Sequence, residues 1–213
     1  TFHHTIEFGY VFFIKFLRVF FSDFQSLFFF TALATYLFLY LGIKKYTNHS
    51  SIAVLIFVLI PGLFLNTFSI MRQELAIVIA FYAFSFLIDK KFFIYLLLMI
   101  LAFSFHYTVA IAFVTHLLVW KYAPKVKYNY YYYLILFSML FLGFNIGNLV
   151  YYFAKGARYE FYQAGESVSL IKILILNTLA LVYVYLSPKI IKKNKYNIYI
   201  VALFVMNIVY LNV

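Results

Sequence analysis

Cysteine is absent from the 213 residues, which excludes disulfide bonds and thiolate metal sites. Charged residues are scarce as well, since they make up 11% of the chain, whereas a soluble domain carries about 25%. With so few charges, the chain cannot cover a water-exposed surface with polar groups. Hydrophobic residues instead make up 67% of the sequence. We therefore predict an integral membrane protein.

Acidic residues number only six against 17 Lys and Arg, which gives a formal net charge of +11. A basic balance can indicate nucleic-acid binding, but basic loops beside hydrophobic segments are typical of the cytoplasmic face of a membrane protein. We therefore predict no nucleic-acid partner. The chain begins without Met and ends inside the apolar stretch VMNIVYLNV. We expect residues 1–213 to form a single integral membrane domain of a longer protein, without its N-terminal spans and part of its C-terminus.

Long apolar runs separated by short polar breaks fill the sequence. A helix needs about 20 residues to cross roughly 30 Å of hydrocarbon, and continuous rather than alternating runs disfavour strands. We predict an all-α transmembrane bundle of about eight spans, near residues 25–43, 51–68, 71–88, 92–105, 107–120, 130–153, 169–187 and 196–213.

The stretch 92–120 admits one long tilted helix or two short helices that turn at FSFHYT. With two helices, all the lysine-rich loops fall on one side of the membrane, as cytoplasmic loops tend to do. We therefore predict two helices and a cytoplasmic lysine side. The loops of that side contain Lys44, Lys45, Lys90, Lys91, Lys121, Lys125, Lys127, Lys189, Lys192, Lys193 and Lys195, and the opposite loops contain only Arg72, Lys155 and Arg158.

Two features of the outer side follow from this topology. Helices too short for a lipid-facing span are tolerated where they line a water-filled cavity, so we predict an outward-facing cavity beside the two short helices. The segment EFGYVFFIKFLRVFFSDF predicts an N-terminal interfacial helix, because Lys15 and Arg18 are three residues apart and share one face.

Most of the remaining polar residues concentrate in the outer segments. TIEFGY contains Glu7 and Tyr10, MRQE contains Arg72, Gln73 and Glu74 at the start of a helix, AKGARYEFYQAGES contains Arg158, Tyr159 and Tyr162, and His106 lies at another outer turn. An arginine within the membrane costs about 2.5–3.5 kcal/mol on insertion scales and is therefore a functional candidate. Its planar guanidinium binds phosphate oxygens bidentately, and a helix N-terminus adds positive potential.

Simpler interpretations of the same residues stay open. Arg72 can extend to the interface or pair with Glu74, and His106 can bond a carbonyl at its turn. Tyr159 and Tyr162 can be ordinary interfacial aromatics.

Four motifs occur in a fixed order: EFGY before an apolar helix, SIMRQELA at a helix start, FSFHYT at an outer turn and RYEFY in a late outer loop. This pattern resembles the EpsG-like family of exopolysaccharide polymerases, relatives of the Wzy O-antigen and capsule polymerases. The small hydroxyl that the family places two residues after the histidine is matched by Thr108. The acidic, tyrosine-bearing segment that precedes EFGY in the family has no counterpart, so the chain resembles a truncated copy.

The resemblance implies a multi-pass glycosyltransferase of the bacterial inner membrane. Such a polymerase joins repeat units carried on undecaprenyl pyrophosphate at the outer face, beside membrane lipids, chain-length regulators and flippases. The implied catalytic residues are Glu7 and His106, either of which can serve as general base; Glu74 is a weaker candidate because Arg72 can neutralise it. The implied substrate-binding residues are Arg72, Gln73, Arg158, Tyr159 and Tyr162, with the arginines on the pyrophosphate and the tyrosines on sugar rings. No cofactor or metal is implied.

Two other classes of membrane protein share some of these features. A transporter or flippase of lipid-linked oligosaccharide also needs outer cations, but its polar residues should continue across the membrane. A membrane O-acyltransferase also uses histidine, but on the cytoplasmic side, where its thioester donor lies. The outer concentration of polar residues favours the polymerase.

Overall fold

The structure of the protein is a computed structural model, which describes residues 7–59, 64, 70–125, 130–131, 134, 177–178, 181–185 and 196–212. As the continuous apolar runs predicted, the regular elements over these ranges are helices, with no strand among them. The elements are α1 (Phe8–Phe20), α2 (Gln25–Tyr46), α3 (Ser50–Leu59), α4 (Met71–Ile88), α5 (Phe92–Phe105), α6 (Val109–Tyr122), a 3-10 turn (Ala123–Lys125) and α7 (Asn197–Asn212).

Two of the described helices are long and apolar enough to cross a membrane by length and composition. They are α2, with 22 residues, and α4, with 18. The predicted spans near 130–153 and 169–187 lie largely outside the described residues. A bundle of eight spans with an outward cavity therefore stays a prediction.

Helices α2 and α4 pack closely and run in the same direction. Gly42 permits the approach, because a Cβ at this position would lie 2.6 Å from the ring of Phe81. Further along α2, the Tyr46 hydroxyl donates to the Phe81 carbonyl at 2.8 Å. The Lys45 ammonium then lies 5.4 Å from the ring centroid of Phe86, near the end of α4. The C-terminal ends of the two helices are therefore neighbours.

This packing brings the first two lysine clusters to one end of the helix pair. Lys44 and Lys45 lie in the last turn of α2, and Lys90 and Lys91 follow α4 directly. Arg72 lies in the first turn of α4, and the 18 residues of that helix span about 27 Å. Arg72 is thus at the end of α4 opposite the lysines, as the predicted topology requires.

The turn between α4 and α5 holds a lysine in a left-handed conformation. Lys90 has φ 62°, and its N–H donates to the Leu87 carbonyl at 3.1 Å, while the Lys91 N–H donates to the Phe86 carbonyl at 2.8 Å. This hydrogen-bond pair is the Schellman ending of a helix, in which glycine usually occupies the left-handed position.

Replacing Lys90 by glycine is expected to raise the free energy of unfolding by about 1 kcal/mol, because a left-handed residue with a Cβ costs roughly 1–2 kcal/mol. Thermal unfolding in detergent measures the change. Lys91→Gly is the matched control, since it removes the same charge from a residue with φ −90°. Equal effects of the two substitutions would contradict the prediction.

The stretch 92–120 forms two helices, as the lysine distribution predicted. Helix α5 ends at Phe105 and α6 begins at Val109, each with 14 residues. His106 is extended, with φ −157° and ψ 123°, which interrupts the helix. At about 1.5 Å per residue each helix is about 21 Å long, shorter than the roughly 30 Å hydrocarbon core.

The contacts divide the chain into two compact units, residues 1–117 and 118–213. In the second unit, the Tyr131 hydroxyl donates to the Ala123 carbonyl at 3.4 Å, and Val201 and Val205 of α7 are buried. The candidate site described next lies within the first unit.

Candidate functional site

The site is centred on Glu7, the residue that precedes helix α1. Glu7 is extended, with φ −66° and ψ 144°, and its side chain makes no capping hydrogen bond to the helix. The carboxylate is therefore available to other partners, and its side chain is only 13% exposed.

Arg72 reaches this carboxylate from the first turn of α4. Its Nη1 lies 2.9 Å from Glu7 Oε2, in a hydrogen-bonded ion pair between residues 65 positions apart. The Arg72 side chain is 37% exposed. A guanidinium carries five N–H donors, and this pair uses Nη1 alone. Arg72 therefore retains donors for an anionic ligand while Glu7 holds it in place.

His106 reaches the other oxygen of the same carboxylate. Its Nδ1 lies 2.7 Å from Glu7 Oε1, and its side chain is 16% exposed. The histidine is fixed by the break between α5 and α6, where its N–H donates to Ala102 and its carbonyl accepts from Val109. The polar break that separates the two short helices thus also positions the imidazole.

The shared carboxylate determines the tautomer of His106. An ionised Glu7 only accepts hydrogen bonds, so Nδ1 must carry the proton that it donates to Oε1. In a neutral imidazole, Nε2 then has a free lone pair and can accept a proton. The arrangement leaves two groups for a substrate: a basic nitrogen on His106 and cationic N–H donors on Arg72.

Tyr10 adds a contact that the sequence analysis did not assign. The guanidinium carbon of Arg72 lies 5.7 Å from the centroid of the Tyr10 ring, within the range of a cation–π interaction. Tyr10 is buried and also contacts Phe105 edge to face at 6.4 Å. A signal existed in the sequence, because Tyr10 follows Glu7 by only three residues within the EFGY motif.

Gly9 explains how α1 comes so near to the His106 turn. A Cβ on Gly9 would lie 2.7 Å from both the Cβ and the carbonyl oxygen of Ser104, two residues before His106. The glycine therefore packs directly against the backbone of α5. In EFGY, Glu7 binds the two basic side chains, Gly9 permits the approach and Tyr10 supports the arginine.

Replacing Gly9 by alanine is expected to destabilise the protein by about 1–3 kcal/mol, as overpacking does, because the added Cβ forces α1 away from α5 and Glu7 away from His106. Thermal unfolding in detergent measures the change in stability. Helix propensity alone acts in the opposite direction, since alanine favours a helix by ~1 kcal/mol over glycine. A stabilised variant would therefore exclude the close α1–α5 contact.

The neighbours of Arg72 take different positions. Gln73 is half-buried beside it in the first turn of α4. Over the part of the chain that the structure describes, Glu74 forms no ion pair, and Arg72 pairs with Glu7 instead. The open interpretation in which Arg72 pairs with Glu74 is therefore wrong. Residues two apart on a helix do not face each other, which is the physical reason.

Three predicted substrate-binding residues, Arg158, Tyr159 and Tyr162, lie outside the described residues. The prediction that both arginines, Arg72 and Arg158, bind the pyrophosphate therefore stays a prediction. Within the described ranges, no group of three His, Asp or Glu side chains has the arrangement of a metal site.

Comparison with known proteins gives a family match. A family model described as the EpsG family matches residues 1–213, which include all four motifs and every candidate residue. No curated protein and no solved structure matches the chain.

Proposed function

The chain belongs to the EpsG family, and from this premise we propose that it is a polysaccharide polymerase. The family consists of membrane proteins of polysaccharide biosynthesis. The proposed reaction transfers a growing glycan from undecaprenyl pyrophosphate to a hydroxyl of the next lipid-linked repeat unit. It takes place at the outer face of the bacterial inner membrane, in a multi-pass protein. The single observation that carries the proposal is the shared bonding of Arg72 and His106 to Glu7.

The transfer forms one bond and breaks another at the same carbon. The acceptor hydroxyl oxygen bonds to the anomeric carbon of the donor sugar, and the bond from that carbon to the pyrophosphate oxygen breaks. The hydroxyl proton must go to a base, and the bonding electrons leave with the pyrophosphate. The enzyme therefore needs a proton acceptor on one side of the carbon and a cation on the other.

His106 is the proposed proton acceptor. Its Nε2 has the lone pair, because Nδ1 donates to Glu7 at 2.7 Å. When Nε2 takes the proton, the imidazolium is stabilised by the ionised carboxylate that it already contacts. Glu7 then orients and stabilises the base instead of removing the proton itself. The hydrogen bond from Nδ1 to Glu7 supports His106 over Glu7 as the general base.

Arg72 is the proposed cation for the leaving pyrophosphate. Charge on the pyrophosphate oxygens increases as the sugar bond breaks, and preorganised donors stabilise it most in a water-poor site. The hydrogen bond to Glu7 and the Tyr10 ring hold the guanidinium before substrate binds. We assign Arg158 as a second cation, and Gln73, Tyr159 and Tyr162 to the sugars.

Reconstitution tests the reaction. The purified full-length protein in liposomes, supplied with lipid-linked repeat units, is expected to produce a ladder of longer lipid-linked oligomers. Units that change leaflet without growing would indicate a flippase and would exclude the polymerase. A dependence on an acyl thioester donor would indicate an acyltransferase.

A further inference from the structure

An apolar groove runs along helices α5 and α6, starting close to the turn that carries His106. It has a volume of about 330 Å³ and is lined by Leu96, Met99, Ile100, Phe103, Val109, Ala110 and Phe113. All seven side chains are apolar. Known small-molecule pockets have volumes of ~300–1,000 Å³, so the groove is large enough for part of a ligand.

The groove follows from the spacing of apolar residues on two short helices. Leu96, Ile100 and Phe103 recur at helical spacing on one face of α5, while Tyr95 and Ala102 on a neighbouring face are buried. From Leu96 to Phe103 the helix rises about 10 Å. The groove therefore extends about two turns away from the His106 end of the hairpin.

Exposure alone does not identify a ligand here. Ile100 is 65% exposed and Phe103 is 51% exposed, but membrane proteins normally present such side chains to lipid. The informative feature is the combination of a concave apolar surface with a polar site at one end. Phe103 lies three residues before His106 and Val109 three residues after it, so the groove begins at the break that positions the imidazole.

We propose that this groove binds the first isoprenoid units of the lipid carrier, while Arg72 binds its pyrophosphate. An amphiphile with an anionic head and an apolar chain matches both parts at once. The ion pair of Arg72 with Glu7 uses Nη1 alone, which leaves donors for phosphate oxygens. Met99 in the groove wall is unbranched and adaptable, which suits a chain of irregular shape. The inference rests on the proposed function for the identity of the lipid.

The groove would also fix the substrate orientation. A chain held between α5 and α6 places the pyrophosphate near the extended residue His106 and keeps the glycan on the outer side. Rotation of the donor sugar is then limited before the acceptor hydroxyl arrives, which lowers the entropic cost of the transfer.

Residues 1–213 contain no cysteine, which permits a direct binding test. The Ile100→Cys variant is labelled with a fluorophore at its introduced cysteine and placed in liposomes of brominated phosphatidylcholine. Bulk lipid that occupies the groove then quenches the fluorescence. Undecaprenyl pyrophosphate is expected to relieve the quenching in a saturable manner. Undecaprenol has the isoprenoid chain but no pyrophosphate, and phosphatidylglycerol has an anionic head group but no isoprenoid chain. Both are therefore expected to have little effect.

Two variants connect the groove to the site. Ala110→Phe fills the groove and is expected to weaken the apparent affinity for undecaprenyl pyrophosphate by about tenfold, or ~1.4 kcal/mol. Ile111→Phe is the matched control, because Ile111 is exposed on the same helix but does not line the groove. Arg72→Ala, combined with the labelled Ile100→Cys, is expected to reduce the relief by removing the head-group contact.

Each outcome distinguishes the groove from the polymerase. Relief of quenching without polymer formation would support the groove and contradict the proposed function. Polymer formation with equal relief of quenching by all three lipids, or with no relief at all, would overturn the groove and leave the function intact. Equal effects of Ala110→Phe and Ile111→Phe would also overturn it.

Discussion

Arg72→Ala is expected to lower the rate of polymer formation by about 10²–10³-fold, the loss seen when one preorganised donor to a developing negative charge is removed. The alanine also leaves the Glu7 carboxylate without its cation in a site where its side chain is only 13% exposed. Reconstituted protein with lipid-linked repeat units gives the rate. The amount of protein recovered in the membrane, measured in parallel, separates a catalytic loss from a folding loss.

Arg72→Lys distinguishes a planar guanidinium from a simple positive charge. A lysine can preserve the ion pair with Glu7, but its three donors share one nitrogen and cannot bind two phosphate oxygens as a rigid fork. We expect this variant to be nearly as inactive as the alanine. Full activity would show that Arg72 acts only through its positive charge and would contradict bidentate binding of pyrophosphate.

Arg18→Ala is the matched control for both substitutions. Arg18 is exposed in the last turn of α1, at the other end of that helix from Glu7. Its replacement removes the same positive charge without touching the site. Near-normal polymer formation is expected, and an equal loss in Arg18→Ala and Arg72→Ala would show that total charge, not local geometry, governs the activity.

The helix pattern could be predicted from the sequence because it depends on local features. Apolar runs place α2 and α4 within a few residues of their observed limits, and the lysine distribution correctly divides 92–120 into α5 and α6. The distribution of charge predicts this division correctly because a polar segment such as FSFHYT strongly prefers a membrane boundary. Element type and order are therefore accessible from composition and periodicity.

The contacts of the site could be predicted only in part. Glu7, Arg72 and His106 were singled out as separate residues on one side, but their meeting depends on how α1 packs against α5. Gly9 controls that packing through its contact with Ser104, and no local pattern shows which helix a glycine will approach. The partner of Arg72 could therefore not be predicted, because Glu7 is 65 positions away in the sequence and only the fold brings the two side chains together.

The role of Tyr10 was hidden for a similar reason. A tyrosine near the start of an apolar helix is common at membrane interfaces and carries little information alone. Its meaning arises from the guanidinium 5.7 Å away, which comes from another helix. Residues that hold a functional side chain in place are the hardest to find in a sequence, because only their position in the fold, and not their residue type, distinguishes them.

Glu7→Gln is expected to reduce the rate by about 10²–10⁴-fold, the range associated with loss of general base catalysis. The substitution keeps the size of the side chain but removes its charge. A glutamine can present its NH2 group to Nδ1 of His106, which would then act as acceptor and place the proton on Nε2. The imidazole could no longer take a proton from the acceptor hydroxyl, and an imidazolium would lose its counter-charge.

Glu74→Gln is the matched control for this prediction. Glu74 lies two residues from Arg72 in the first turn of α4, but it forms no ion pair in the described part of the chain. Its neutralisation should therefore leave polymer formation within about threefold of the natural protein. If Glu7→Gln were as active as Glu74→Gln, the carboxylate would not set the tautomer of His106. His106→Ala then reports on the histidine alone: a rate equal to that of Glu7→Gln, with no further loss in the double variant, is expected if the two residues act as one unit.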